Sequence, residues 1–437
     1  MPFTRWAVLF LAIPILAGTS AAPASIIGTS PPAESLTKER IEQLPPSQQH
    51  AWLAYLDRSA RQRQADRAFL SAEMKRAGID KPFVPPENPA ARSIPLDRDA
   101  SWYRGTEARH IADVIVSFQT PAGGWGKNLN MSKEPRRPGE AFTSNNLSRF
   151  VTPGDFDAPR EPEWNYVGTI DNDATTTQIR FLARTISALR PNASNAYRSA
   201  FLRGMNYLFE AQFPNGGWPQ VWPLEGGYHD AITYNDDAMI NVMELMRLVA
   251  AGTGDYSFVP HKIRKRADAS YARGIECVLA TQIKVNGKQT VWPQQDDPLT
   301  LQPVSARNFE PPAQCSSESA DLLLMLMNDL PHPSAEQKQA IRAAAEWFRT
   351  TAIYGQSWGR TPEGRGLVSS PGAGPIWARY YQIATDRPVF GDRDKSIHDN
   401  VNEISKERRY GYRWYSADPQ NALDRFEIWN KEHTESK

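Results

Sequence analysis

Cysteine and histidine are scarce in this chain of 437 residues, which contains two cysteines and seven histidines. The histidines are scattered and show none of the spacings typical of zinc sites, so zinc-dependent chemistry is not expected. Cys277 lies on a predicted helix and Cys315 in a predicted loop. A disulfide bond between them and two separate buried thiols are both compatible with the sequence.

An excess of charge of one sign is also absent, because 50 lysine and arginine residues stand against 49 aspartate and glutamate residues. This balance argues against a surface that binds nucleic acid. It still allows a local basic cleft for an acidic ligand. Long apolar runs are absent after the start of the chain, so no membrane-spanning segment is expected there.

The first 22 residues have the pattern of a secretory signal peptide. Arg5 supplies a positive charge, residues 6–17 form an apolar run, and small residues at 20–22 precede a cleavage point near Pro23. The apolar run is short for a membrane anchor, which is the alternative interpretation. The sequence therefore predicts a mature protein that is secreted or periplasmic and does not contact a membrane.

The mature chain divides by composition into two parts. Residues 23–100 begin with a stretch rich in proline, serine and alanine and continue with a charged helical pattern, so this N-terminal segment is predicted to be partly flexible and partly helical. Residues 101–437 alternate helical patterns with long loops and form the main domain. Its predicted helices cover residues 106–118, 175–189, 194–213, 236–251, 260–282, 316–328, 334–351 and 374–383.

A repeated phrase dominates the main domain. An amphipathic helix ends in glutamine, and a turn then leads to a tryptophan, at residues 110–128, at 197–222 and, more weakly, at 271–295. Repetition of such a unit predicts helical hairpins around an axis, with their loops at one end. Strand signals are few, and the Asn-Gly turn at 286–287 is the strongest. We predict an all-α fold, an α/α toroid that is whole or partial.

Two oxygen-rich loops each stand directly before a predicted helix. One contains Asp171-Asn172-Asp173, and the other runs from Tyr228 through Asp230 to Asp236-Asp237. A single helix cap explains one such residue in each loop. Carboxylate and amide oxygens in this number also suit a hard cation such as calcium.

Two arginines occupy further polar loops, Arg307 and Arg393. An ion pair with Glu310 or Glu318 would be a purely structural explanation for the first, and a surface ion-pair network for the second. Arginine also binds carboxylates in a two-pronged manner, and tryptophan faces stack on sugar rings. Arginines, oxygen-rich loops and tryptophans together predict an acidic polysaccharide as ligand; the tryptophans are Trp125, Trp218 and Trp222.

These same stretches resemble the family 10 pectate lyases. The resemblance covers roughly residues 102–414 and implies an incomplete α/α toroid with long functional loops at one end. It also implies a calcium-dependent pectate lyase that cleaves polygalacturonate by β-elimination and leaves 4,5-unsaturated oligogalacturonides. The matching blocks are GGWGKN (123–128), TIDNDATTTQIRFLAR (169–184), GGWPQVWPL (216–224), YHDAITYNDDAM (228–239), VWPQQDDPLTLQPVSARNFEPP (291–312), IWARYY (376–381) and RPVFGDRD (387–394).

The resemblance also implies roles for individual residues. Arg307 matches the catalytic base and Arg393 a substrate-binding arginine. Asp171 and Asn172 match calcium ligands, and one of Asp230, Asp236 and Asp237 completes the set. Seven further residues on these loops are predicted to contact substrate: Trp125, Lys127, Asn128, Asp173, Trp218, Trp222 and Tyr228.

This chain departs from the family pattern in three places. Asp173 stands where glycine is expected, Asn130 stands where an acid is expected, and the loop at 132–168 is longer than usual. An arginine base also needs a lowered pKa, since its ordinary value is above ~12. A neighbouring cation, either calcium, Lys127 or Arg393, and an apolar wall are predicted to lower the pKa of Arg307, and an alkaline optimum should follow.

Three alternatives remain at this stage. A glycoside hydrolase on the same toroid would need two carboxylates within reach of each other. A pectin-binding module would use the tryptophans without catalysis. The glutamine–tryptophan phrase also resembles terpene cyclases, whose acidic proton-donor motif is not present here. The protein is predicted to act as a monomer.

Overall fold

The computed structural model describes residues 25–86, 93–146, 148, 150–152, 154–190, 194–362 and 364–434. The predicted signal peptide at residues 1–22 lies outside these ranges. Within them, no helix is both long enough and apolar enough to cross a bilayer.

Helices follow the amphipathic patterns closely, and most begin and end within two residues of the predicted limits. The long apolar pattern at 316–329 is a buried helix, as its composition predicts. The α-helices are α1 (Lys38–Ile41), α2 (Pro46–Ala77), α3 (Thr106–Ser117), α4 (Thr176–Ala188), α5 (Asn195–Ala211), α6 (Ala238–Ala251), α7 (His261–Thr281), α8 (Ser316–Asp329), α9 (Ala335–Thr351), α10 (Lys406–Gly411) and α11 (Pro419–His433).

Strands are more numerous than the sequence suggests. A five-stranded antiparallel sheet has the order β1-β12-β11-β10-β6, and four two-stranded antiparallel pairs join β13 with β9, β2 with β5, β3 with β4, and β7 with β8. The strands are β1 (Ile26–Thr29), β2 (Ile232–Thr233), β3 (Lys284–Val285), β4 (Lys288–Gln289), β5 (Gln295–Asp296), β6 (Gln314–Cys315), β7 (Gln356–Thr361), β8 (Gly364–Ser369), β9 (Trp377–Ala378), β10 (Tyr380–Gln382), β11 (Arg387–Gly391), β12 (Ser396–His398) and β13 (Tyr415–Ser416).

The prediction of an all-α toroid is therefore wrong, because helices and antiparallel sheets build the structure together. Most of the missed strands have only two or three residues, too few to show an alternating pattern. Residues 374–383 were predicted as a helix and instead form β9 and β10. Their tryptophan and two tyrosines favour a strand, and Tyr380 pairs with Cys315 on one side and Val389 on the other. The hairpin with the Asn-Gly turn is confirmed.

A glutamine at the end of a helix holds each repeat to the next. The side-chain amides of Gln119, Gln212 and Gln282 each donate two buried hydrogen bonds, one to the following turn or strand and one to a later helix. A buried amide of this kind needs such partners, and each bond contributes about 1 kcal/mol. The acceptors are the carbonyl oxygens of Gly123 and Ala200, of Gly216 and Ser270, and of Thr290 and Ala340.

The tryptophans of the repeats close the same units from inside. Trp125, Trp218 and Trp292 are each 0% exposed. Each indole Nε1 donates to a helix carbonyl four residues before the glutamine of its own repeat. The acceptors are Ile115, Leu208 and Val278, at 2.7, 2.8 and 2.6 Å. The repeat is therefore a device for packing helices and turns.

The N-terminal segment packs on the main domain through helix α2. Trp52 and Tyr55 lie against Phe213, with ring centroids 5.4 and 5.0 Å away. The hydroxyl of Tyr55 donates to the carbonyl oxygen of Ala211 at 2.9 Å in a buried environment. Both aromatic rings belong to the same hydrophobic core as the repeats.

Both cysteines are free and buried, in agreement with the interpretation as two separate thiols. Burial raises the pKa of Cys277, and burial together with the nearby Glu318 raises the pKa of Cys315. Both thiols are therefore protonated and unreactive at ordinary pH.

Asp66 on α2 gives a testable pH dependence of stability. Its side chain is 2% exposed, and burial raises its pKa to about 6, so the folded state disfavours the carboxylate. Stability is therefore lost as the pH rises from the unfolded pKa towards 6 and is constant above it. Asp66→Asn should gain about 2 kcal/mol relative to wild type between about pH 4.5 and pH 8, measured by urea unfolding. Asp57→Asn on the same helix is the exposed control. If the difference in unfolding free energy between Asp66→Asn and wild type did not change with pH, the assignment would be contradicted.

Candidate active site

The two oxygen-rich loops, together with other segments of the main domain, enclose a polar cavity of about 250 Å³. It combines two buried carboxylates, Asp171 and Glu310, with exposed oxygen donors and two cationic side chains. The residues that matter for its chemistry are Lys127, Asp171, Asn172, Tyr228, Asp236 and Arg307. The structure thus brings together most of the site residues predicted from the oxygen-rich loops, and it places Arg307 with them.

The two oxygen-rich loops have the same backbone shape. Asn172 and Asp236 both have φ of 50°, and the residues after them, Asp173 and Asp237, have φ of 60° and 58°. Asparagine and aspartate tolerate this left-handed conformation better than most residues. Each loop leads into a helix, α4 or α6, and the two loops contact each other. The duplicated turn exposes Asn172 and Asp236 at the cavity.

Asp171 is a buried carboxylate of the cavity, with 3% exposure, and the likewise buried Glu310 also lines it. Its Oδ2 accepts from Lys127 Nζ at 2.5 Å, and its Oδ1 accepts from Gln220 Nε2 at 3.0 Å. Burial acts to raise its pKa, but the charges of Lys127 and Arg307 outweigh burial and hold the pKa below its ordinary value. Asp171 is therefore ionised.

Asp236 carries a negative charge that has less compensation. Its Oδ2 accepts from Asn235 Nδ2 at 2.9 Å. The surrounding protein displaces water from the carboxyl group, although the residue as a whole is exposed, and this effect together with the nearby Asp171 raises the pKa of Asp236 to about 6. Two carboxylates that repel each other across a cavity gain from a bound cation.

The other two aspartates considered as metal ligands lie elsewhere. Asp230 is buried below the N-terminal segment, where its oxygens accept from the backbone nitrogens of Leu36 at 3.1 Å and Gly226 at 2.7 Å. Asp237 turns to Asp321, with which it shares a hydrogen bond. Neither lines the cavity. Of the three alternatives that the sequence left open, the geometry favours Asp236.

Arg307 is held by a two-pronged ion pair with Glu310. Its Nε and Nη2 donate to the two carboxylate oxygens at 3.0 and 2.6 Å. The side chain of Arg307 is 36% exposed and that of Glu310 is 1% exposed. No described residue bonds to Nη1 of Arg307, so this nitrogen is available to a ligand. The ion pair with Glu310 was the structural explanation considered for this arginine, and it exists.

The predicted shift of the Arg307 pKa has the wrong sign in this structure. Burial would lower the pKa of Arg307, but the charge and hydrogen bonds of Glu310 outweigh burial and raise the pKa well above its ordinary value. Glu310 in turn has its pKa lowered to about 2, because Arg307 outweighs the effect of burial. The sequence shows neighbouring cations but does not show that the guanidinium pairs with Glu310.

Arg393 lies beside the cavity but is not part of its wall. The ring of Phe309 stands between the two arginines, with its centroid 4.9 Å from Arg307 Cζ and 5.3 Å from Arg393 Cζ. Arg393 Nε donates to Glu407 Oε2 at 2.9 Å. The exposed ring of Phe150 covers Arg393 from another side, at 4.8 Å.

The tryptophans do not form sugar-stacking platforms. Trp125 and Trp218 are 0% exposed and Trp222 is 2% exposed, so none offers a face to a ligand. The prediction that they contact substrate is wrong, because the turns that carry them fold inwards against the helices.

The remaining predicted contacts are divided between the cavity and its surroundings. Lys127 and Tyr228 line the cavity. Asn128 stands behind Asn172, whose Nδ2 donates to Asn128 Oδ1 at 3.3 Å. Asp173 faces α6 instead, where it accepts from Asn241 Nδ2 at 2.9 Å.

Sequence reasoning missed the tyrosine and acid that support Tyr228. The hydroxyls of Tyr228 and Tyr166 lie 3.0 Å apart, and Tyr228 donates to Asp157. The ring of Tyr166 also lies 3.3 Å from Lys127 Nζ, which fixes the ammonium group beside Asp171. Tyr166 and Asp157 both belong to the unusually long loop at 132–168, and its length was the only signal in the sequence.

Phe150 from this long loop is expected to support substrate binding at Arg393. Phe150→Ala removes an exposed cation–π contact, worth about 0.5–1 kcal/mol, so KM should rise about 2- to 5-fold while kcat stays nearly constant. Steady-state kinetics on the acidic polysaccharide that the resemblance implies measure this. Tyr354→Ala removes another exposed ring, 68% exposed, that does not line the cavity, and should leave KM unchanged. Equal KM values for both variants would contradict the role of Phe150.

Comparison with known proteins shows the family to which this chain belongs. The family described as pectic acid lyase matches residues 119–423, which is most of the chain. This chain belongs to the pectic acid lyase family. The protein is thus a polysaccharide lyase, as its resemblance to the family 10 enzymes predicts. The hydrolase, cyclase and binding-module alternatives are set aside.

Two solved structures support the assignment. One is a family 10 polysaccharide lyase from Cellvibrio cellulosa, with 28% identity and a TM-score of 0.62 over 79% of this chain and 99% of that one. The other is an aspartate-to-alanine mutant of a family 10 polysaccharide lyase from the same organism, in complex with trigalacturonic acid. It has the same identity and TM-score, over 78% and 98% of the chains. A comparison with curated protein sequences gave no match.

Proposed function

We propose that the lyase cleaves polygalacturonate by calcium-dependent β-elimination and releases 4,5-unsaturated oligogalacturonides. The observation that carries this proposal is that one cavity holds Arg307 together with the oxygen donors Asp171, Asn172 and Asp236. The complex of the Cellvibrio lyase with trigalacturonic acid supports an acidic polysaccharide as substrate. Export by the predicted signal peptide is part of the proposal, since the polymer lies outside the cell.

The donor set of the cavity fits calcium in kind. Two carboxylates and one amide oxygen are hard ligands, and Asn172 and Asp236 are exposed to an entering ion. Among the described residues no group of three or more histidine, cysteine, aspartate or glutamate side chains could hold a metal ion. Asp171, Asn172 and Asp236 alone are too few for a complete calcium shell, which normally has six to eight oxygens. Water and substrate carboxylates would supply the remainder.

The reaction divides between the cation site and Arg307. Calcium held by Asp171, Asn172 and Asp236 would withdraw charge from the galacturonate carboxylate and so acidify the proton on C5. The neutral guanidine of Arg307 takes this proton through Nη1, the C4–oxygen bond breaks, and a double bond forms between C4 and C5. Water protonates the leaving oxygen. Lys127 neutralises Asp171 in the free enzyme and is placed to bind a substrate carboxylate.

Glu310 has two consequences for this reaction. It fixes the direction of the guanidinium, which favours a productive geometry. It also raises the pKa of Arg307, so the neutral form is scarce except at alkaline pH. The rate should accordingly rise with pH in the alkaline range.

The test is product formation from polygalacturonate with calcium and with a chelator. Ultraviolet absorbance of the conjugated unsaturated product should appear with calcium and disappear with the chelator. Reducing ends without this absorbance would indicate hydrolysis and overturn the proposal.

A further inference from the structure

The N-terminal end of the described chain lies across three loops of the active site. We define residues 25–42 as the N-terminal strap. Its strand β1 pairs with β12, and Ser30 N donates to Lys395 O at 2.8 Å. Lys395 is two residues after Arg393, so this part of the strap fixes the loop that carries Arg393.

A second contact reaches the loop of Arg307. The hydroxyls of Ser30 and Ser305 lie 3.0 Å apart. Ser30 is 2% exposed and Ser305 is 1% exposed, so the contact is shielded from water. Ser305 is two residues before Arg307. A single serine of the strap therefore joins the loops of both arginines.

The strap also fixes the start of the Arg307 loop through an ion pair. Arg40 pairs with Asp297, and the two side chains are 18% and 7% exposed. The other oxygen of Asp297 accepts from the backbone nitrogens of Leu299 and Thr300, both at 2.9 Å. Asp297 thus shapes the turn from which the chain runs to Arg307, and Arg40 holds Asp297.

The third loop is the one that carries Tyr228. Ser35 Oγ accepts from Gly227 N at 2.8 Å, and Leu36 N donates to Asp230 Oδ2 at 3.1 Å. These bonds stand on either side of Tyr228, whose hydroxyl lines the cavity with Tyr166.

We propose that the N-terminal strap is a positioning element that sets the loops of Tyr228, Arg307 and Arg393 for the reaction. The strap lies outside residues 119–423, which match the family. Among the described residues it makes no hydrogen bond or ion pair with Asp171, Asn172 or Asp236, so it acts on the placement of the arginines and the tyrosine. A displacement of about 1 Å in a reacting group can lower the rate up to about 100-fold. The inference rests on the proposed function.

Two strap variants and a matched control test the proposal. Arg40→Gln removes the ion pair with Asp297, and Ser30→Ala removes one hydroxyl, a change small enough to leave folding intact. Tyr55→Phe is the control, because it removes a buried hydrogen bond of the N-terminal segment that faces α5 and not the active site. All are compared by kcat and KM on polygalacturonate, well below their melting temperatures.

We expect Arg40→Gln to lower kcat about tenfold and Ser30→Ala about threefold, with KM within about twofold of wild type. Tyr55→Phe should keep the wild-type kcat even if its melting temperature falls as much as those of the strap variants. If Arg40→Gln and Ser30→Ala have the same kcat as Tyr55→Phe, the proposal is overturned, because the strap would then contribute only to the stability of the fold. Failure of the proposed function is distinguishable, since wild type itself would then form no unsaturated product.

Discussion

Replacing Arg307 by alanine is expected to lower kcat by about 10²–10⁴-fold, the usual contribution of a general base. The measurement is formation of unsaturated product under saturating calcium and substrate. The variant also leaves Glu310 without its partner, although Tyr412 still donates to Glu310 at 2.7 Å. Its melting temperature must therefore be measured alongside. A variant that stays folded and retains more than a tenth of the activity would contradict the assignment of Arg307 as base.

Glu310→Gln separates a base from a fixed cation. The negative charge of Glu310 raises the pKa of Arg307, so its removal must lower that pKa. If Arg307 is the base, its neutral form then appears at lower pH, and the rising alkaline limb of the pH–rate profile shifts to lower pH. If Arg307 only stabilises negative charge, the limb does not move in this direction.

The control for this experiment is another buried arginine–glutamate pair. Arg136 bonds to both carboxylate oxygens of Glu73, and the two side chains are 5% and 10% exposed. The pair joins α2 to a loop and does not line the cavity. Glu73→Gln should therefore lower stability without shifting the pH–rate profile. A shift in both variants would show that the profile reports general destabilisation.

The helices and the polar loops were predictable because each follows from a short-range pattern. An amphipathic period indicates a helix anywhere in the chain. Oxygen-rich residues that directly precede two helices lie close together when both helices begin at the same end of the domain. The sequence left undecided which of Asp230, Asp236 and Asp237 lies with Asp171 at the cavity. The decision depends on the left-handed turn at Asp236, which directs Asp237 away and Asp236 towards the cavity.

The direction of the tryptophans could not be predicted from composition. A tryptophan after a turn is suited both to a sugar and to a helix interface, and here the interface prevails at Trp125 and Trp218. The fixed distance of six residues from Gln119 and from Gln212 was a hint, since a repeated spacing of this kind serves packing. The short strands were not predicted for another reason. They are defined by their pairing with strands that are distant in the chain, as with β6 and β10.

If calcium binds as proposed, removing either carboxylate, Asp171 or Asp236, is expected to weaken its binding by about 10- to 100-fold. Asp171→Asn should have the larger effect. Lys127 lies 2.5 Å from Asp171, so the variant both loses a ligand charge and leaves an ammonium group uncompensated beside the ion. Asp236→Asn loses its charge without exposing a cation. The amount of calcium needed for half-maximal activity measures the effect.

Thermal unfolding provides a readout independent of catalysis. Calcium that binds only the folded protein stabilises it by about 2.7 kcal/mol at a concentration 100 times its Kd. Wild type should therefore melt at a higher temperature with calcium, and Asp171→Asn and Asp236→Asn should need far more calcium for the same rise. Asp230→Asn is the matched control, because Asp230 is a buried carboxylate whose oxygens bond to backbone nitrogens away from the cavity. Its melting temperature should respond to calcium as wild type does, and a loss of the response in Asp230→Asn but not in Asp236→Asn would place the ion under the N-terminal strap and away from Arg307.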